Sequence, residues 1–247
     1  MAFDTQRGAW TSSQADAAQI DTGLRAYMLR VYNYMGSGLA LTGILAFLVA
    51  NTPALQQLFF QWTPHGVGLT GLGWLVTIAP IGLVFALSFG VQRMNPNTAQ
   101  TLFWVYAGLM GISLSSVLLV YTGASVARTF FITAASFGGL SLWGYTTRRD
   151  LTGFGSFLFM GLIGLVLASV INMIFPSGMM TFIVSVAGVL IFAGLTAYDT
   201  QKIKEMYWEG DDAATMSRKA IMGALTLYLD FINLFIYLLR FIGDRRD

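Results

Sequence analysis

Long apolar runs, separated by short polar or charged breaks, dominate the chain. From Leu24 to Ala50 the residues are almost wholly apolar or small, and Asn51-Thr52-Pro53 ends the run, since proline disfavours helix at the residue before it. Further runs extend over Gly71–Val91, Thr101–Tyr121, Thr129–Thr146 and Gly153–Phe175. A sixth runs from Met179 to beyond Asp199, and a seventh from Ala220 to Phe241. Each is long enough, at about 18–27 residues, to cross a hydrocarbon core of ~30 Å as a tilted helix. The pattern predicts an all-α integral membrane protein with seven transmembrane helices. Pro80 falls inside the second run, where a membrane helix tolerates it if neighbours satisfy the freed carbonyl. Gly36, Gly38, Gly108, Gly111, Gly138, Gly139, Gly161 and Gly164 thread the runs and predict close helix packing, as small residues provide in lipid.

Outside the runs, residues 1–23 form a polar N-terminal tail without the apolar core of a secretory signal. Residues 24–243 form the membrane domain, and residues 244–247 a short C-terminal tail. The chain has 247 residues, of which 55% are hydrophobic and 11% charged, well below the ~25% charged residues of a soluble domain. A net charge of +2 and the lack of a basic cluster beyond Arg148-Arg149 argue against a nucleic-acid partner. The absence of cysteine excludes disulfides, thiolate metal sites and cysteine nucleophiles. The lone His65, beside Pro64 in a polar connection, reads as an exposed loop residue. No second histidine exists to complete a nitrogen-rich metal site.

The 14 basic residues distribute unevenly across seven spans. Arg7, Arg25, Arg30, Arg93, Arg148, Arg149, Lys202, Lys204, Arg218 and Lys219 fall on one side; Arg128, Arg240, Arg245 and Arg246 fall on the other. The positive-inside rule then places the N-terminus in the cytoplasm and the C-terminus outside. A seventh segment that dips in and returns would instead leave the tail cytoplasmic. The brevity of the tails and the lack of a signal favour a bacterial cytoplasmic membrane.

Of the 12 acidic residues, only Asp199 and Asp230 lie inside apolar runs. A carboxylate facing hydrocarbon is expensive, so such residues face the protein interior or a wet cavity and are functional candidates. If the sixth helix ends near Tyr207, Asp199 lies ~12 Å in; if the seventh starts near Ser217, Asp230 lies ~20 Å in. The ~8 Å mismatch is small enough for tilt or a boundary shift to remove. In contact, the two cannot both ionise freely and titrate as one coupled site. They share a proton, or on full deprotonation they separate or recruit a cation. Oxygen-only ligands suit calcium, and two carboxylates make a partial site for it. The competing reading is that each aspartate bonds a nearby hydroxyl, amide or arginine and locks the bundle. Arg93, at the end of the second run, and Arg240, ten residues beyond Asp230, are candidate latches or modulators of the pair. Equally, both serve as snorkelling interface anchors.

Three stretches carry a resemblance to a known family. They are Gly194-Leu195-Thr196-Ala197-Tyr198-Asp199-Thr200-Gln201-Lys202-Ile203, Ala224-Leu225-Thr226-Leu227-Tyr228-Leu229-Asp230-Phe231-Ile232-Asn233-Leu234-Phe235, and Tyr27-Met28-Leu29-Arg30-Val31-Tyr32-Asn33-Tyr34-Met35. Together they resemble the Bax inhibitor family, the transmembrane Bax inhibitor motif proteins. The resemblance implies a bundle with the C-terminal helix central and six others around it, with no enzymatic activity and no cofactor. It also implies a pH-sensitive calcium leak associated with the pair Asp199 and Asp230, with Arg93 as the latch and Arg240 as a second family arginine. Relatives can carry an acid within the second helix facing that last arginine; residues 71–92 contain none. Expected partners are the bilayer, calcium ions and protons. Some bacterial relatives suggest instead a non-conducting regulator that binds a membrane protease or other stress-survival machinery. Two further classes fit less well. In an intramembrane aspartyl protease the second aspartate is glycine-flanked, whereas Leu229 and Phe231 flank Asp230. A proton-coupled carrier would show an inverted repeat, and none is evident.

Overall fold

The computed structural model describes residues 3–63 and 66–246. His65 lies outside the described residues. Eight α-helices follow one another: α1 (Phe3–Asn51), α2 (Pro53–Phe59), α3 (Gly71–Gly90), α4 (Pro96–Val120), α5 (Gly123–Thr146), α6 (Thr152–Ile174), α7 (Gly178–Glu205) and α8 (Ala213–Ile242). Between α2 and α3 a two-stranded antiparallel hairpin intervenes, β1 (Phe60–Thr63) against β2 (Gly66–Leu69), with Phe60 opposite Leu69. The sequence pattern gave this connection no regular structure. α1 begins at Phe3, and its apolar portion starts at Thr22.

Local chemistry sets the helix starts. Thr70 and Thr122 accept the Gly73 and Ser125 N–H groups through their hydroxyls, and Ser177 accepts that of Met180, satisfying first-turn donors. Pro53 and Pro96 occupy first-turn positions, where a missing N–H costs nothing. Among the described residues, six helices are long and apolar enough to cross a membrane: residues 22–51, 71–93, 96–120, 152–174, 178–205 and 213–242. The protein is thus an all-α membrane protein. α5 falls short of that composition because Thr, Ser and Gly dilute its apolar residues.

α8 is the axis of the bundle. It packs against α1, α4, α5 and α7, and 61% of its most apolar window is buried, against 11–28% in the other five spans. Its faces are filled by Leu225, Leu227, Tyr228, Leu234 and Leu239, all nearly inaccessible. The outer helices turn large apolar side chains outward, such as Phe89 on α3 and Met173 on α6, as lipid-facing helices do.

The helix ends gather at two poles. At one pole, Tyr27 stacks near Tyr207, Lys204 bonds the Tyr145 carbonyl, and Arg218 reaches the Met94 carbonyl. At the other, Thr122 N–H donates to the Asp244 carbonyl, Arg246 N–H to the Val120 carbonyl, and Arg128 pairs with Asp244 at 3.1 Å. α8 therefore runs the full length of the bundle, and the C-terminal residues are bound beside the α4–α5 connection. A dipping last segment is not what the chain forms.

Of the eight interface glycines expected from sequence, Gly38, Gly108, Gly111 and Gly161 meet a neighbouring helix, whereas Gly36, Gly138, Gly139 and Gly164 face open space. The tightest approaches include Gly144, where an added Cβ would strike the Ala197 backbone of α7, and Gly111, where it would strike Thr42 on α1.

Candidate functional site

α7 and α8 run antiparallel, and two contacts set their register. Gly223 packs on Ile203, and Gly188 packs on Tyr237. Interpolating along this register, Asp199 stands level with residues 226–227 of α8. Asp230 is then about one helical turn, or ~5 Å, further toward the opposite pole. Helical side chains lean toward their own N-terminus. On α7 that lean points toward Asp230, and on α8 toward Asp199, so an offset of one turn brings the carboxyl groups together. The two carboxyl groups lie close enough to interact, and both border the same cavity. The estimate from sequence erred at the start of α8, which begins at Ala213 rather than near Ser217. Its first turns overhang the end of α7, and the connection climbs back to meet them, with Lys219 bonding the Met206 carbonyl at 2.9 Å.

The pair borders a cavity of about 850 Å³ between α6, α7 and α8. α6 supplies an apolar wall through Phe159 and Met160. α8 supplies Thr226, Asp230, Asn233 and Tyr237, a stripe at helical spacing on one face. α7 supplies Tyr198, Asp199 and Lys202. Asp230 is only 4% exposed, and its Oδ2 has no partner among the described residues. Thr226 spends its hydroxyl hydrogen on the Met222 carbonyl, and Asn233 gives one of its two amide N–H groups to the Leu229 carbonyl. Ionised carboxylates offer acceptors only. Their contact therefore calls for a shared proton or a cation between them.

The neighbours of Asp199 in its motif have separate tasks. Thr200 contacts Ser141 of α5 at 2.9 Å, and Ser141 contacts Tyr32 of α1 at 2.7 Å. This hydroxyl chain ties three helices together behind the aspartate. Gln201 accepts the Leu151 N–H and donates to the Arg149 carbonyl, each at 2.8 Å, satisfying the α5–α6 connection. Lys204 bonds the Tyr145 carbonyl and lies over its ring. Tyr228, on the opposite face of α8 from the cavity, meets Thr42 at 2.7 Å, and Thr42 also donates to the Ala107 carbonyl.

Neither candidate arginine borders the cavity. Arg93 ends the 3-10 turn Val91–Arg93, exposed, and makes no ion pair among the described residues. Arg240 is exposed at the end of α8 and lies over the ring of Tyr237, touching the site only through that residue. The cation at the cavity is Lys202, which the sequence pattern marked only as one of the basic residues of one side. Its three-residue spacing from Asp199 was the available signal, since such positions share a helix face. Among the described residues no three His, Cys, Asp or Glu side chains gather. Asp199 and Asp230 thus offer calcium two carboxylates, short of the six to eight oxygens it prefers, and suit transient contact better than a resident site.

The chain is similar along most of its length to bacterial proteins. It is 51% identical to an uncharacterized protein, RP147, of Rickettsia prowazekii, over 92% of this chain and 93% of that one. It is 48% identical to an uncharacterized protein of Caulobacter vibrioides over 99% of both. It is also 48% identical to the inner membrane protein YbhL of Escherichia coli, over 91% of this chain and 94% of that one. A family model described as "Inhibitor of apoptosis-promoting Bax1" matches residues 24–247, which include the paired aspartates, and the chain belongs to that Bax inhibitor family.

Proposed function

We propose that this protein is a pH-sensitive, calcium-permeable leak in a bacterial cytoplasmic membrane, gated by Asp199 and Asp230. The observation that carries the proposal is the convergence of the two carboxyl groups on one cavity, close enough to interact, with Asp230 Oδ2 unpartnered among the described residues. A proton held between them draws α7 to α8. Loss of that proton leaves two acceptor-only groups, which separate or take up a cation. Separation would open the α7–α8 seam toward the axis of the bundle, and Lys202 at the same cavity would oppose cation entry. No catalytic reaction is assigned to the pair.

We place seven helices across the membrane. α5 is 24 residues long, or ~36 Å at helical rise. Its start lies beside Asp244 at one pole and its end beside Lys204 at the other. With seven crossings, the ten cations of the first pole face the cytoplasm and the N-terminus is cytoplasmic. The inner-membrane name of the Escherichia coli relative supports the choice of membrane. One observation favours a second role, as a non-conducting regulator of a membrane protease or other membrane protein. Only 11% of the apolar window of α6 is buried, which leaves that helix free to receive a partner helix.

The test is calcium flux into liposomes containing the purified protein, followed across pH. Asp199→Asn and Asp230→Asn should each remove the pH response while leaving some flux, because asparagine keeps one oxygen ligand. No flux from the folded wild type would exclude the leak and leave the regulator.

A further inference from the structure

A second cavity, of about 440 Å³, opens at the pole that carries most of the basic residues. It lies in the seam between the end of α3, the end of α7 and the start of α8. Ser88, Gln92, Met206, Thr215, Arg218 and Lys219 border it. Arg218 and Lys219 are both partly buried there. Lys219 is neutralised by Asp211, with which it forms an ion pair. Arg218 has no carboxylate within ion-pair distance among the described residues; Asp212, two turns back at the helix start, is exposed and lies beyond that distance, attracting Arg218 only from further off.

The donor inventory is informative. A guanidinium has five N–H donors. Arg218 spends one on Thr215 Oγ1 at 2.9 Å and one on the Met94 carbonyl at 3.4 Å. Three remain. The ammonium of Lys219 has three donors and uses two, on Asp211 and the Met206 carbonyl. Arg218 and Lys219, which carry these donors, border the same cavity as Ser88 and Gln92. A partly desolvated arginine without an ion-paired carboxylate, held in place by two protein acceptors, is pre-organised for an oxyanion, and guanidinium geometry matches phosphate in particular. Basic pockets between transmembrane helices at the cytoplasmic surface commonly hold lipid headgroups.

We infer that this cavity is a phosphoryl-binding site at the cytoplasmic surface, with Arg218 as its principal ligand and Lys219, Ser88 and Gln92 completing it. Its occupant is the phosphate of an anionic phospholipid or of a water-soluble phosphate compound. α3 packs chiefly on α4, so a bound phosphate would tie α3 to the start of α8, the helix that carries Asp230. The site is independent of the leak and stands or falls without it.

The experiment uses the full chain. Wild type is reconstituted in nanodiscs of phosphatidylcholine alone, or of phosphatidylcholine with phosphatidylglycerol, and retained lipid is counted by native mass spectrometry after mild delipidation. Thermal stability is measured in parallel in phosphatidylcholine with and without inorganic phosphate. Selective retention of phosphatidylglycerol supports the site with a lipid source, and stabilisation by inorganic phosphate supports it with a soluble source. Arg218→Gln should weaken whichever binding is seen about tenfold or more, as expected for loss of charge-assisted hydrogen bonds. Arg218→Lys should restore part of it. Wild type showing neither lipid preference nor stabilisation by phosphate would overturn the inference whatever the variants do. So would binding that Arg218→Gln, with wild-type helix content, leaves intact.

Discussion

Asp230→Asn should make this protein more stable while impairing its response to pH. Asp230 is 4% exposed, and its Oδ2 lacks a partner among the described residues. An unsatisfied buried polar atom costs ~1–3 kcal/mol. Asparagine keeps the shape, removes one of two like charges, and brings an N–H that can donate to the Asp199 carboxylate. Both changes act in the same direction, for an expected gain of ~1–3 kcal/mol at neutral pH. In a chain of this size each kcal/mol moves the unfolding temperature by ~2–4 °C, so the expected rise is ~2–12 °C. The gain should shrink in acid, where a proton between the wild-type carboxyls supplies the same bond. Thermal unfolding in detergent across pH reads the stability, and liposome calcium flux reads the function. The cycle with Asp199→Asn adds a further requirement. Two groups acting as one site should show a coupling energy of ~0.5–3 kcal/mol, with a double variant no worse in flux than the worse single one. A drop in unfolding temperature at every pH, or strictly additive effects, would show that each aspartate is already satisfied by its own surroundings, and the shared-proton reasoning would fail.

Three further predictions bear on the rest of the architecture. Gly144→Val should destabilise by ~1–3 kcal/mol or more, seen as a lower unfolding temperature, because the new side chain meets the Ala197 backbone rather than a movable side chain. Arg93→Ala should leave basal leak unchanged, since Arg93 is exposed and unpaired among the described residues, whereas Lys202→Gln should raise calcium entry by removing the cation at the cavity; the opposite ranking in liposomes would restore Arg93 as the latch. Reporter fusions after Arg149 and Met206 should read cytoplasmic and one after His65 external, and a cytoplasmic signal at His65 would reverse the orientation.

The pattern of apolar runs determined the fold class, because a helix in hydrocarbon must be apolar over ~20 residues and satisfy its own backbone. It marked Asp199 and Asp230 for the same reason: a charge has no inexpensive place in such a run, so its presence there stands out without knowledge of any partner. It did not decide whether the two touch. That followed from the overhang of α8 beyond α7 and from the Ile203–Gly223 and Gly188–Tyr237 contacts, which set a register no single helix contains. Arg93 and Lys202 show the same division. The sequence made Arg93 a candidate latch and Lys202 only one more basic residue, and packing turned the first outward and set the second at the cavity. The hydroxyl chain from Tyr32 through Ser141 to Thr200 was invisible for a like reason. Serine, threonine and tyrosine are ordinary in membrane helices, and their meaning here lies in three helices meeting at one point. Sequence alone thus dictated which groups are expensive to bury, while tertiary structure decided which of them share that cost.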